Sequence, residues 1–352
     1  MSSDAALDKG RQDPIILYAL QPASGSSFLA RSVRGELLDV RGDDNFMEPK
    51  HLISIRDLTA EDVSEVFRIT SEMKASPDKF KSVLAGKTLA LLFQKPSTRT
   101  RVSFQVGMFQ LGGIALQLSF RDLQLDRGET LADTARVLSS YVNGIVARTN
   151  AHADLVELSK HSSVPVINGL TDLLHPCQAI ADYFTLMEKK GNLRGKKIAY
   201  IGDGNNMCHS LIYGAVKVGM DIAVATPAGY EPKSIIVKSA TREASSAGVS
   251  VVLTQDPAAA AQGSDAVYTD TWVSMGQEAE ERERLQAFQG YQVSAALMSK
   301  AKPGALFMHC LPAHRGREVA EEVIDGKQSA VWLQAENRLH VQKALLYLLL
   351  GH

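Results

Sequence analysis

Two α/β domains, each a doubly wound parallel sheet covered by helices, are what this sequence predicts. Short apolar runs alternate with helical patterns through residues 51–190, and the alternation starts again near residue 195. The chain has 352 residues, which suits two domains of this class better than one. A glycine-bounded segment, GNLRG at residues 191–195, separates the two series.

Residues 1–50 alternate Ser, Gly, Pro and charges without a sustained period and are expected to be irregular. Within them, residues 23–34 (ASGSSFLARSVR) are rich in Ser and Arg and lack acids, as mitochondrial transit peptides do. Asp4 and Asp8 do not fit that pattern, and a disordered tail or an expression remnant accounts for the segment equally well. From His51 the chain becomes regular. Residues 58–74 read as a helix, with Thr59 as N-cap and Glu61 and Asp62 in the first turn. A strand at 89–93 follows, then Pro96 and the cluster Ser97–Arg101. The next helix carries Val102, Val106, Phe109 and Leu111 on one side and closes at Gly112 and Gly113. A strand at 114–118, a polar loop at 121–128, a helix at 129–141 and a strand at 144–147 ending at Arg148 come next. A helix at 154–161, a strand at 164–168 and a helix at 177–189 complete the first series. The second has strands at 197–201, 221–226, 250–253, 266–269, 305–309 and 330–333, with helices at 208–218, 234–247 and 278–288. A last helix, 337–350, is strongly apolar and needs a surface to bury against.

Hydrophobic content of 45% and charged content of 22% are ordinary for a soluble enzyme. A net charge of −1 gives no global attraction for nucleic acid or an anionic membrane, so neither is an expected partner. No apolar run approaches the roughly 20 residues of a membrane span. Cys177, Cys208 and Cys310 are an odd number without a CxxC pair, which argues for a reducing compartment and against a disulfide framework or structural zinc. No metal and no organic cofactor is expected.

The chemistry-bearing residues sit where strands end, the rim at which open α/β sheets bind ligands. Ser97, Thr98, Arg99, Thr100 and Arg101 follow a buried strand and open a helix, where free N–H groups, hydroxyls and guanidiniums make a phosphate site. Arg148 ends a strand on the same rim. His175 and Gln178 are three apart at a helix start, with Pro176 suited to the first helical position. In the second half, Gly202-Asp203-Gly204-Asn205-Asn206-Met207 follows a strand and opens a helix. Met207 stands where a dinucleotide fingerprint needs its third glycine, so the amides of Asn205 and Asn206 suit an amino-acid backbone better. Asp270 and the Ser274-Met275-Gly276 loop follow another strand and suit an ammonium group, although an acid in that position on its own is more often a helix or turn cap. His309-Cys310-Leu311-Pro312 ends a further one, with Cys310 either a reactive thiol or a small buried residue. Cys177 and Cys208 read as packing residues.

STRTR at Ser97–Arg101, DTARVL at 133–138 and HPCQ at His175–Gln178 resemble the transcarbamylase family. HCLP at His309–Pro312 and SMG at Ser274–Gly276 resemble its ornithine branch, and the His-Pro-Gly-Pro segment of the aspartate branch has no counterpart. Longer matches (GDGNNM, TDTW, LQAFQGYQV, AENR) resemble animal and fungal members, and the resemblance runs from His51 to the C-terminus. It implies transfer of a carbamoyl group from carbamoyl phosphate to the δ-amine of L-ornithine, giving L-citrulline and phosphate, in arginine biosynthesis or a urea cycle.

The same resemblance implies roles for single residues. Ser97, Thr98, Arg99 and Thr100 hold the phosphate. Arg148 and His175 polarise the carbonyl, and Gln178 meets the carbamoyl amide. Cys310, Leu311 and Arg338 line the carbamoyl group. Asn206, Asp270, Ser274 and Met275 bind ornithine, with Cys310 and Asp270 handling its proton. Gln124 reaches the site from a neighbouring subunit of a homotrimer, although Asp126 stands where the family often has glycine.

The implied domains are residues 51–190 for carbamoyl phosphate and 195–335 for ornithine, with 336–352 returning to the first. The implied location is the mitochondrial matrix, with the cytoplasm as the alternative. Competing functions are carbamoyl transfer to another amine such as putrescine, a dinucleotide-dependent oxidoreductase built on GDGNN, and a non-catalytic homologue.

Overall fold

The computed structural model describes residues 51–120, 128–274 and 277–351. The expected irregular segment 1–50, the polar loop with Gln124, and Met275 lie outside the described residues.

The first sheet contains β1 (Thr88–Phe93), β2 (Ile114–Ser119), β3 (Gly144–Arg148) and β4 (Val166–Leu170), ordered β2-β1-β3-β4 and all parallel. Its helices are α1 (Ala60–Ala75), α2 (Thr98–Gln110), α3 (Leu131–Tyr141), α4 (His152–His161) and α5 (Pro176–Lys190). Alternate strand residues serve opposite faces. Leu89, Leu91 and Val146 pack in the core with residues of α1 and α5, whereas Ala90, Leu92 and Ile145 pack with residues of α3 and α4. Burial on both faces is why these strands appear as unbroken apolar runs.

The second sheet contains β5 (Lys197–Ile201), β6 (Asp221–Ala225), β7 (Val251–Thr254), β8 (Ala266–Thr269) and β9 (Leu306–His309), ordered β7-β6-β5-β8-β9 and again all parallel. Around it lie α6 (Asn206–Val218), α7 (Ser234–Ala247), α8 (Pro257–Ala261), α9 (Glu281–Ala287), α10 (Ala295–Met298) and α11 (Glu321–Ile324). The chain ends in α12 (Val331–Leu350). The core of the first sheet continues without a break through α5 and α6 into one face of the second, where Ile198, Tyr200 and Ile222 are buried.

Two expectations need correction. Residues 330–333 are not a strand: they lead into α12, whose helix begins at Val331. The run Val331-Trp332-Leu333 is apolar enough for a strand, but its neighbours settle the period. Val331, Gln334, Asn337, Arg338 and Val341 are buried while Trp332 is 60% exposed, a helical repeat. The second correction concerns α2. Its buried residues are Thr100, Phe104, Gly107 and Met108, whereas Val102 and Phe109 are exposed at 46% and 80%. Only Leu111 of the expected apolar side is buried.

Local capping follows the sequence closely. Thr59 and Asp62 form a reciprocal capping box on α1. Pro176 is the first residue of α5. Asn205 caps α6, its side-chain oxygen accepting from the N–H groups of Met207 and Cys208. Ahead of it, Gly204 donates its N–H to Tyr230 at 2.8 Å, and a Cβ there would lie 2.2 Å from the Pro232 nitrogen. Backbone cannot yield as a flexible side chain does. Gly204→Ala is therefore expected to destabilise the protein by about 1–3 kcal/mol, read as a lowered midpoint of urea unfolding.

Candidate active site

The carboxyl ends of β1 and β3 bring the first group of side chains together, Phe93 and Arg148 being register partners. Beyond β1 the chain enters α2 with Ser97 as N-cap, yet no side chain caps that helix and its first turn carries no acid. Its terminal N–H groups and positive dipole end are left for an anion. Arg99 stands exposed at this end and donates to the Leu311 carbonyl at 2.6 Å, reaching across to the second half. Arg338, on α12, donates to Thr100 Oγ1 at 2.9 Å. Arg148 and Arg338 are buried, and among the described residues neither forms a salt bridge. Burial and the neighbouring Arg338 and Arg99 charges push the Arg148 guanidinium down to about 10, and burial lowers Arg338 as well. Such mutual repulsion is relieved by an anion.

His175 and Gln178 face the same place from the start of α5. His175 is buried and its N–H donates to Ser210 Oγ at 2.8 Å. Burial, then the Arg338, Arg148 and Arg99 charges, hold the imidazole well below its usual range, so it is neutral. Four buried atoms here have no partner among the described residues: Arg148 Nε, His175 Nδ1, Gln178 Oε1 and Arg338 Nε. Buried polar atoms are rarely left unpaired, and these mark where a ligand supplies the missing bonds.

The second group sits at the ends of β5, β8 and β9. Asp270 accepts from Asn205 Nδ2 at 2.8 Å, from the Thr271 N–H at 2.8 Å and from the Cys310 thiol at 3.0 Å. Burial first, then the Asp270 charge, raise the thiol well above its ordinary value, so Cys310 is a protonated donor. Leu311 adopts the left-handed region at φ 59°, with its N–H on His309 Nδ1 at 2.8 Å. Side-chain donor atoms of Asp270, His309 and Cys310 lie within 4.8 Å of one another. Asn206 spends its amide N–H on the Thr171 carbonyl at 2.6 Å, and Ser274 donates its backbone N–H to Gln277 at 3.0 Å. Asp203 is engaged by an arginine. It pairs with buried Arg284 at 3.1 Å, and Arg284 also donates to the Trp272 carbonyl at 3.2 Å.

Several participants escaped sequence reading. Asp182 and Gln334 lie four residues from Gln178 and Arg338 respectively, and both are fully buried. Polar residues at helical spacing on otherwise apolar turns were the available signal. Asn205, rather than Asn206, is the amide that holds Asp270. Cys177 and Cys208 are buried, and burial raises both thiols, as packing residues require.

Comparison with known proteins agrees with this geometry. Residues 50–188 match the carbamoyl-phosphate-binding domain of aspartate/ornithine carbamoyltransferases, and residues 194–349 match their aspartate/ornithine-binding domain. An ornithine carbamoyltransferase of Carboxydothermus hydrogenoformans is 56% identical over 304 residues, spanning 86% of this chain and 98% of the relative. The structure of the Pyrococcus furiosus ornithine carbamoyltransferase superimposes with a TM-score of 0.83 at 53% identity, covering 86% of this chain and 97% of that one. A mitochondrial ornithine carbamoyltransferase from Coccidioides immitis superimposes with a TM-score of 0.80 at 39% identity, covering 86% and 98%. This chain belongs to the aspartate/ornithine carbamoyltransferase family.

Proposed function

We infer that the protein transfers the carbamoyl group of carbamoyl phosphate to the δ-amine of L-ornithine, releasing L-citrulline and phosphate. One observation carries this: an uncapped helix end and three guanidiniums that pair with no carboxylate among the described residues face an Asp270–Cys310 pair across one cleft. A dianion belongs on the first side and an ammonium on the second. In this account Ser97, Thr98, Arg99 and Thr100 hold the phosphate. Arg148, Arg338 and neutral His175 stabilise the charge that develops on the carbonyl oxygen. Gln178 takes the carbamoyl amide, and Asp270 with Asn206, Ser274 and Met275 receives ornithine. Residues 51–190 then serve carbamoyl phosphate and 195–335 ornithine.

The amine, with a pKa near about 10.4, must lose a proton to attack. Cys310 already holds its proton and donates it to Asp270. The departing phosphate is therefore the better acceptor, and Cys310 aims the Asp270 carboxylate. Holding both reactants in line supplies the remaining advantage through orientation.

Relatives at 53–56% identity are bacterial and archaeal, and the Pyrococcus furiosus enzyme is named anabolic. They favour arginine biosynthesis over urea formation and the cytoplasm over the mitochondrial matrix. Against them, the affinity with animal and fungal members rests on local sequence matches and the 39% fungal structure.

A homotrimer that brings Gln124 from a neighbour is supported by the open edge of the first sheet. There β2 exposes Ile114 and Leu116 at 63% and 46%, and α2 exposes Phe109 at 80%. An apolar strand edge of this kind invites a protein partner.

Three outcomes are expected. Purified protein supplied with carbamoyl phosphate and a panel of amines should form citrulline from ornithine and turn over putrescine far more slowly; turnover confined to another amine would sink the assignment. Arg99→Ala should raise the KM for carbamoyl phosphate by about ten- to a hundredfold, whereas Cys310→Ala should lower kcat about tenfold and leave phosphate-analogue binding nearly unchanged, both read from initial rates. Phe109→Asp should shift the mass measured by light scattering from a trimer toward a monomer.

A further inference from the structure

We propose that Asp182, on α5, is a positioning residue that fixes which end of the Gln178 amide faces the substrate. It thereby makes the site selective for an acyl phosphate that carries an N–H. This rests on carbamoyl phosphate being the substrate of the cleft.

Asp182 is fully buried, one helical turn beyond Gln178. Its Oδ1 accepts from Gln178 Nε2 at 2.7 Å and from Gln334 Nε2 at 2.7 Å, and its Oδ2 accepts from the Tyr268 hydroxyl at 2.9 Å. One carboxylate thus ties α5, α12 and β8 together. The two ends of a side-chain amide have nearly the same shape, so the partners decide its orientation. At Gln334 the decision is forced. Its Oε1 accepts from the backbone N–H of His309 at 3.0 Å, a group that can only donate. The amide's Nε2 must then face Asp182, and Oδ1 must accept. The same oxygen therefore takes the donor end of Gln178.

The consequence appears at the opposite end of that side chain. Gln178 Oε1 is buried with no partner among the described residues. It is an acceptor waiting for a donor, and leaving it unpaired is costly. A carbamoyl group offers an N–H; an acetyl group does not. Burial pushes the Asp182 carboxyl up to about 7. A proton gained there belongs on Oδ2, beside the Tyr268 hydroxyl, because two N–H donors already occupy Oδ1. Gln178 keeps its orientation in either state.

The test measures the KM of carbamoyl phosphate and the Ki of acetyl phosphate as its competitor, in the full chain. The ratio of Ki to KM reports selectivity for the N–H and cancels a general change in phosphate grip. Asp182→Ala is expected to lower the ratio about tenfold. Asp182→Asn keeps a carbonyl oxygen for both amides and turns its NH2 toward Tyr268, so its ratio should stay within roughly twofold of wild type. An unchanged ratio in Asp182→Ala, or an equal fall in both variants, overturns the proposal. Should Asp182→Ala not fold, Gln178→Ala decides: a similar fall supports the role and an unchanged ratio refutes it. Wild-type protein that makes no citrulline would instead refute the assigned reaction, before any variant is compared.

Discussion

Positive charge gathered without a salt-bridge partner among the described residues is the constraint on which this molecule depends. Arg99, Arg148 and Arg338 lie close enough to disfavour one another's protonated forms, and two of them are buried. Burying an ion costs several kcal/mol even after relaxation, so side chains alone would splay apart. Backbone and helix geometry prevent it. Arg148 is the last residue of an interior strand, and Arg338 is held mid-helix with its Nη2 on Thr100. Arg99 is tied to the Leu311 carbonyl. The fold keeps a repulsive arrangement in place, one that an anion would relieve.

Helix α12 does most of that holding. It begins beside the second sheet, where Gln334 accepts from His309, and runs across to pack against α1, α2 and α5. Its polar residues are spent on the crossing: Gln334 on Asp182 and Asn337 on Thr185 and Glu188, while Lys74 of α1 donates to the Asn337 carbonyl. Its apolar residues, Val341, Leu345 and Leu349 among them, are buried in the core shared with the first sheet. Through its last ten residues, 341–350, the helix has no exposed face, and such a segment is stable only between other elements. The segment that closes the core is therefore also the one that delivers Arg338 and links the two halves of the site.

Much of this was legible because parallel strands and capped helices leave strong local signals. The strand at 89–93, the Thr59 cap, Pro176 at the start of α5 and the clusters at strand ends can be read from residue type and spacing alone. What escaped reading depends on long-range contacts. The orientation of α2 followed Thr100 and Phe104, which are buried, rather than the apolar side with Val102 and Phe109, which is exposed. The segment 330–333 has a strand's composition, and only its burial pattern reveals the helix. Asp182, Gln334 and Tyr268 meet from three elements far apart in sequence, so no window contains their network. Choosing between Asn205 and Asn206 required knowing which one caps α6, a distinction of geometry rather than composition.

That cap also explains how two similar strand–turn–helix units come to suit opposite charges. Both α2 and α6 begin just after an interior strand, and either N-terminus is an anion site by default. At α2 the cap side chain makes no bond to the helix, the first turn has no acid, and arginines gather around it. At α6 the Asn205 oxygen occupies the N–H groups of Met207 and Cys208, and its amide nitrogen points to the Asp270 carboxylate. One side chain thus closes a phosphate site and fixes an acid in its place. Gly204 is packed against the 230–232 backbone, so its close approach serves the protein's own chain. The same local fold therefore suits a dianion in one half and an ammonium in the other, and the difference lies in whether the helix end is filled by the protein or left open.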